Sequence, residues 1–394
     1  MISVSQAIAE IRRDSRVLAE VVRTDLHHGL GRVLAGDIVA PINVPPGDNS
    51  AMDGFAFRHD DWAGPDRDLP VSRRIAAGSA PGSLEPGTAA RIFTGAEIPA
   101  GADTVVMQEH CDYDDSRVAI RERPRRGANI RPKAQDIAIG QTVLRSGRRL
   151  DPQALGLIAS LGIDAFEVFR PLKVAILSNG SELVEPGGKT GPGQIFNSNR
   201  YMLEGLVRNW GFEPLDYGIA PDEPDAIRDL LGGAASEADV IISSGGVSVG
   251  EEDHIRNVVA SMGGIDLWKV SIKPGKPFAF GHVNGTPFIG LPGNPSSVLV
   301  TCLVVARPFL FDCQGRESAD ILPVTRKALF EHRGSSREEY LRARITGDGV
   351  ECFPRQSSGI LLSTVWGDGL VVQRPGQDIR KGDDVEFIPY AVLN

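Results

Sequence analysis

Apolar and polar positions follow several different periods along this chain, and the changes of period divide it into regions. Residues 5–12 place apolar side chains at helical spacing, which predicts a short amphipathic helix. Between 71 and 145 the pattern contracts to short runs, VSRRI, ARIFT, DTVVMQ and RVAIRE, separated by Pro and Gly turns, and the region reads as β-rich. At Asp151 the pattern changes again. Asp151 suits an N-cap, Pro152 the first helical position, and Gly162 a C-terminal stop. From Lys173 apolar strands alternate with helical patterns. KVAILS precedes a helix near 199–210, ADVIISS a helix near 253–262, and PFIGLP a helix from about 296. This alternation predicts a mostly parallel sheet with helices on its faces. After about Ile321 it stops, and EEYLRARI, GLVVQRP and DVEFIPY read as a small β domain.

Length and charge narrow the function classes. A chain of 394 residues holds two to four domains at roughly 100–200 residues each. With 41% hydrophobic residues it can bury a sizeable core. A net charge of −9, from 42 basic and 51 acidic residues, argues against a sequence-independent grip on nucleic acid. Cys111, Cys302, Cys313 and Cys352 show no CxxC spacing, so neither a disulfide framework nor a zinc site is expected, and a cytoplasmic location is. The N-terminus lacks a basic segment followed by an apolar one, so no signal peptide is expected. The longest apolar run, about Val298–Ala306, falls short of the ~20 residues that cross a bilayer; it predicts a buried helix and no membrane association.

Ligands of open parallel sheets bind beyond the carboxyl ends of the strands. Those ends are expected at Ser178-Asn179-Gly180, Ser244-Gly245-Gly246 and Leu291-Pro292-Gly293-Asn294. Gly245 to Gly250 (GGVSVG) suits either a phosphate loop or a tight strand-to-helix turn with a Ser cap. Glu251, Glu252 and Asp253 follow. Acids beside a phosphate loop call for a cation between, and hard oxygen ligands favour Mg²⁺; Glu251 and Glu252 also suit the positive end of a helix. Asp222 and Glu182 follow other strands and can converge there. Lys273-Pro274-Gly275-Lys276-Pro277 sets two lysines on a proline-stiffened loop, either a clamp for an oxyanion or a solvated hairpin with surface lysines; the prolines favour the clamp, and Lys269 lies just upstream. Pro292-Gly293-Asn294-Pro295-Ser296-Ser297 opens the apolar helix, where capping and anion binding use the same N–H groups. Arg121 to Lys133 is a basic run of the kind that forms a solvated face, and the seven histidines give no metal spacing.

Taken together, several long segments in order resemble the molybdopterin molybdenumtransferase family, which is related to the E domains of gephyrin and of the plant molybdenum-insertion protein. They are GLGRVLAGDIVAP, PPGDNSAMDGFA, TGAEIPAGADTVVMQE, GANIRPKAQDIAIG, GQIFNSN, VISSGGVSVGEED, IKPGKPFAF and GLPGNPSS. The resemblance implies an elongated homodimer of multidomain α/β plus β subunits. A central three-layer α/β domain at 171–312 is flanked by 1–44 with 141–170, by a β-rich domain at 45–140, and by a small β domain at 313–394. It implies insertion of molybdenum from molybdate into adenylylated molybdopterin with release of AMP, in a cleft between subunits, so that Asp53 and Asp136 act across the dimer. The molybdopterin-adenylylating enzyme is the implied partner.

By motif, the implied catalytic residues are Asp53, Thr94, Asp136, Glu182, Asp222, Asp253 and Lys269. Mg²⁺ or another divalent cation is expected at Asp222 and Asp253. Substrate binding is expected at Gly245, Gly246, Ser248, Gly250, Lys273, Lys276, Pro277, Pro292, Asn294, Pro295, Ser297, Arg337 and Ser358. The chain departs from the family pattern at Ser181 beside Glu182, at Ala134-Gln135 before Asp136, and in a compressed segment around Arg355 to Gly359 that bears on Arg337 and Ser358. Two rival readings are a molybdopterin adenylyltransferase, disfavoured by the flanking β segments, and a gephyrin-like scaffold, disfavoured by the full set of acids and lysines.

Overall fold

A computed structural model describes every residue except Asp222, residues 247–253, residues 318–320 and Asn394. Its centre is a six-stranded sheet in the order Glu213–Ala220, Lys173–Asn179, Val240–Ser244, Thr286–Leu291, Pro277–Val283, Ile265–Lys269. The first four strands are parallel; the last two continue the sheet antiparallel. The α/β alternation of the sequence is therefore the observed architecture, with β-rich regions on either side.

Strand Lys173–Asn179 shows why a continuous apolar run folds this way. Val174 and Ile176 point into one core with Val240, Ile242, Leu299, Leu303 and Phe309. Ala175 and Leu177 point into a second, with Ile227 and Leu231 of helix Pro224–Glu237 and Val258 and Val259 of helix His254–Met262. Successive side chains leave a strand on opposite faces, so a strand buried on both sides needs apolar residues at every position.

The apolar segment from Pro295 runs to Cys313 as one helical stretch, longer than the run read from the sequence, with a π-helical turn at Cys302–Ala306. By length and composition it is sufficient to cross a membrane, yet 89% of its apolar window is buried inside the protein, as the core helix of a folded domain would be. The first helix, Val4–Arg13, opens with a capping box: Gln6 N–H donates to the Ser3 hydroxyl at 3.1 Å and Ser3 N–H to Gln6 Oε1 at 2.9 Å. Its buried residues Val4, Ala7 and Ile11 share the first core, and Arg12 reaches Asp312 with two hydrogen bonds of 2.6 and 2.9 Å.

The helix at Pro152–Ser160 begins on Asp151, which accepts from Ala154 N–H at 2.7 Å, and is followed by Gly162 at φ 73°. It packs with strands Val33–Leu34 and Ala165–Phe169 around Leu34, Ile158 and Val168. Between these segments lies a six-stranded sheet in the order Thr104–Met107, Gly54–Phe57, Ala89–Ile92, Leu69–Ile75, Arg117–Ile120, Cys111–Tyr113, with Gly54–Phe57 and Ala89–Ile92 feeding apolar side chains into a core on each face. The C-terminal sheet runs Ile272–Lys273, Glu338–Ile345, Gly369–Gln373, Asp384–Pro389, Val324–Lys327. Its first strand comes from the central region: Ile272 and Lys273 pair in parallel with Glu338 and Glu339. The loop after Lys273 is thereby anchored to two domains at once.

Candidate active site

A cleft of about 970 Å³ opens at the carboxyl ends of the parallel strands. Asn179, Ser244 and Pro292 line it from three adjacent strand ends, and Lys273 to Pro277, Arg337 and Gln356 to Gly359 contribute from the side of the C-terminal domain. Among the described residues the wall carries three cations, Lys273, Lys276 and Arg337, against one carboxylate, Glu182. A polar pocket with that balance suits a dianion.

Its floor is a hydrogen-bonded network. Ser244 Oγ donates to Ser178 Oγ at 3.2 Å, Ser178 Oγ to Asn197 Oδ1 at 3.2 Å, and Asn197 Nδ2 to Glu185 Oε1 at 3.2 Å. Burial works to raise the Glu185 carboxyl, but bonds from Asn197, Tyr201 and Arg200 outweigh it and hold the group below its usual value. Gly245 and Gly246 turn away from this floor at φ 84° and 70°. A side chain there would strike the Asn179 carbonyl oxygen at 2.5 Å or the Asn179 amide at 2.7 Å. Only glycine lets the turn lie so close to the neighbouring strand end.

The PGNP turn is held from across the domain junction. Asn294 is the N-cap residue, yet its side chain makes no capping bond; Nδ2 donates instead to Ser358 Oγ at 3.1 Å. Ser296 N–H donates to the Ser358 carbonyl at 3.0 Å, and Ser296 Oγ to the Ile360 carbonyl at 2.9 Å. The cap read from the sequence is thus replaced by an inter-domain clamp, and one helix-start N–H is already engaged. Ser297 is buried beside it, with 4% exposure, and lines the cleft. On the opposite wall Arg337 donates to the Ile272 carbonyl at 3.1 Å, next to Lys273.

Comparison with known proteins converges on one family. Residues 2–162 match the family described as the MoeA N-terminal region (domain I and II), 175–312 the probable molybdopterin binding domain, and 329–390 the MoeA C-terminal region (domain IV). A molybdopterin molybdenumtransferase of Haemophilus influenzae is 40% identical over 319 residues, covering 80% of this chain and 79% of that protein. The chain belongs to the molybdopterin molybdenumtransferase family. The same name is carried by a Nostoc protein, 36% identical over 94% of this chain and 89% of its own. A crystal structure of the molybdopterin biosynthesis MoeA protein from Pyrococcus horikoshii superposes with a TM-score of 0.84 at 30% identity, covering 99% of both chains.

Of the residues singled out by the family motifs, the structure gathers Glu182, Lys273, Lys276, Pro277, Pro292, Asn294, Pro295, Ser297, Arg337 and Ser358 on the wall of one cleft. Gly245 and Gly246 continue directly from Ser244 on that wall. Lys269 ends the edge strand and pairs with Pro277 in the ladder, one residue from Lys276. Asp222, Ser248, Gly250 and Asp253 lie outside the described residues.

Asp53, Thr94 and Asp136 are exposed on the β-rich domain and do not line the cleft of the same chain. Asp53 and Thr94 meet directly: Thr94 N–H and Oγ1–H both donate to Asp53 Oδ1, at 2.8 and 2.9 Å. Asp136 lies beyond the far end of the two-residue ladder that joins Asn49–Ser50 to Ile130–Arg131, with its N–H on the Val44 carbonyl at 3.0 Å. The backbone and hydroxyl bonds from Thr94 hold the Asp53 carboxyl below its usual value. Thr94→Val removes one of the two, so a carboxyl-carbon NMR titration should show the Asp53 pKa rise toward the ordinary carboxylate value without reaching it. An unchanged pKa would mean that the hydroxyl bond contributes nothing.

Sequence reasoning assigned no role to several cleft residues. Asn197 and Asn199 sit in the quoted GQIFNSN segment, where paired amides beyond a strand were a legible sign of hydrogen-bonding capacity. Gln356 braces the opposite wall, accepting from Arg342 N–H at 2.9 Å and donating to its carbonyl at 3.0 Å; no local pattern marks it.

Proposed function

We infer that this chain is a molybdopterin molybdenumtransferase, which inserts molybdenum from molybdate into adenylylated molybdopterin and releases AMP. The observation that carries the reading is the three-to-one excess of cations over carboxylates on the described wall of the strand-end cleft, in a chain that matches this family's N-terminal, molybdopterin-binding and C-terminal regions in order. Lys273 and Lys276 hold molybdate, a tetrahedral dianion, with Arg337 and Ser297 beside them. Gly245 and Gly246 let the phosphoanhydride lie against the backbone. Fixed charges and dipoles lower the barrier here mainly by being in place before charge develops.

Among the described residues no group of three His, Cys, Asp or Glu side chains gathers, and Glu182 is the one carboxylate on the described wall. Those residues suit an anion and do not by themselves fit a metal. We assign a divalent cation, Mg²⁺ by oxygen-donor chemistry, to Asp222 and Asp253. Such an ion, when bound, screens charge on the phosphates. The exposed Asp53–Thr94 pair and Asp136 serve the cleft of a second copy in a homodimer. The substrate is supplied by a molybdopterin-adenylylating enzyme, and the cytoplasm is the expected compartment.

The test is to incubate the purified chain with adenylylated molybdopterin, molybdate and Mg²⁺. Release of AMP together with molybdenum on the pterin dithiolene is expected, and its loss on chelation. AMP release that ignores molybdate, or adenylylation of molybdopterin from ATP, would contradict the assignment.

A further inference from the structure

Behind the cation-rich wall stands a carboxylate that no family motif singled out. Glu339 is 1% exposed, on strand Glu338–Ile345 of the C-terminal sheet. Its register partner across the parallel ladder is Lys273. Lys273 Nζ donates to Glu339 Oε2 at 3.1 Å and lies 2.9 Å from Oε1, a contact off the hydrogen-bonding direction that leaves Oε1 with charge attraction alone. His332 Nε2 approaches Oε2 from the other side at 3.4 Å. Lys273 itself is only part-buried and lines the cleft.

We infer that Glu339 is a positioning residue: its buried carboxylate fixes the Lys273 ammonium where an incoming tetrahedral oxyanion meets it. The inference rests on the molybdenum-transfer reading above. A lysine has four rotatable stem bonds and gives up much rotamer freedom when it binds an anion. Two things remove that freedom beforehand here. The ladder fixes the Lys273 backbone beside Glu339, and the carboxylate then fixes the far end of the side chain. The pair joins the central and C-terminal domains, so closing their junction and aiming the ammonium are one event. Burial raises the Glu339 carboxyl, but His332 and Lys273 outweigh it and keep the group below its usual value.

Molybdate alone, titrated calorimetrically into the full chain, reads the effect without turnover. Glu339→Ala should weaken binding by at least about tenfold. Glu339→Gln retains an oxygen acceptor for Nζ and should weaken it by less than about threefold, which separates aim from charge. In the double variant Lys273→Ala/Glu339→Ala, loss of Glu339 should add nothing to the loss of Lys273. If Glu339→Ala does not fold, Glu339→Asp keeps the charge one methylene short and should still cost about threefold or more. Unchanged affinity in the Ala or Asp variant, or equal losses for Gln and Ala, would overturn the inference. Absence of molybdate binding to the unaltered protein would overturn the parent reading and this one with it.

Discussion

Replacing both Lys273 and Lys276 by alanine should reduce molybdate-dependent AMP release by roughly 10²–10³-fold, the loss typical of removing preorganised groups that meet developing charge. The two lysines flank a Pro-Gly pair at the end of the cleft, and Gly275 sits at φ 112° against Thr301 of the core helix, so the loop has little room to rearrange and compensate. The single variants should differ in a second measurement. Lys276 is exposed in the cleft, whereas Lys273 neutralises the buried Glu339. Lys273→Ala leaves that buried carboxylate, among the described residues, with the His332 imidazole 3.4 Å away and no ammonium beside it. Its melting temperature should fall further than that of Lys276→Ala, because an unpaired buried charge is destabilising. Equal melting temperatures would show that water reaches Glu339 freely.

Gly245→Ala should be the most damaging single-methyl change in the cleft. The added carbon meets a backbone carbonyl at 2.5 Å, which cannot rotate away, and the residue must hold a left-handed φ of 84°. Left-handed backbone and overpacking each cost about 1–3 kcal/mol, so a loss of roughly 2–6 kcal/mol is expected in a chemical melt, together with weaker binding of the adenylylated substrate. Gly293→Ala is the matched control. Its added carbon finds the nearest atom at 3.9 Å, an ordinary contact, and stability should hardly change. If the two variants melt alike, the Gly245 turn is not packed against Asn179 as described.

How far the sequence discloses this arrangement depends on whether a feature is local. Asp151, Pro152 and Gly162 form a complete start-and-stop signal, and the helix between them has those ends. KVAILSN is apolar at nearly every position, which suits a strand buried on two faces, and that is its place. By contrast, strand Glu213–Ala220 and helix Pro224–Glu237 drew no assignment. EPLDYGIA mixes acids, Gly and apolar residues because it is the sheet edge and stays half-exposed. The antiparallel end of the central sheet was equally hidden, since strand direction depends on partners distant in the chain. In the cleft, motifs gave the lysines and the PGNP turn. They did not give Glu339, which is 66 residues from Lys273, or the Asn294–Ser358 clamp, which spans 64. Burial and long-range pairing decide those contacts, and neither leaves a trace in spacing.

The central claim is that the lysine loop, the PGNP turn and the C-terminal domain together form one oxyanion site. A crystal of the unaltered protein soaked in molybdate, with data collected at the molybdenum absorption edge, tests it most directly. Anomalous density is predicted in the strand-end cleft, within hydrogen-bonding distance of Lys273, Lys276 and Ser297. Molybdenum bound elsewhere on the chain, with that cleft empty, would contradict the account.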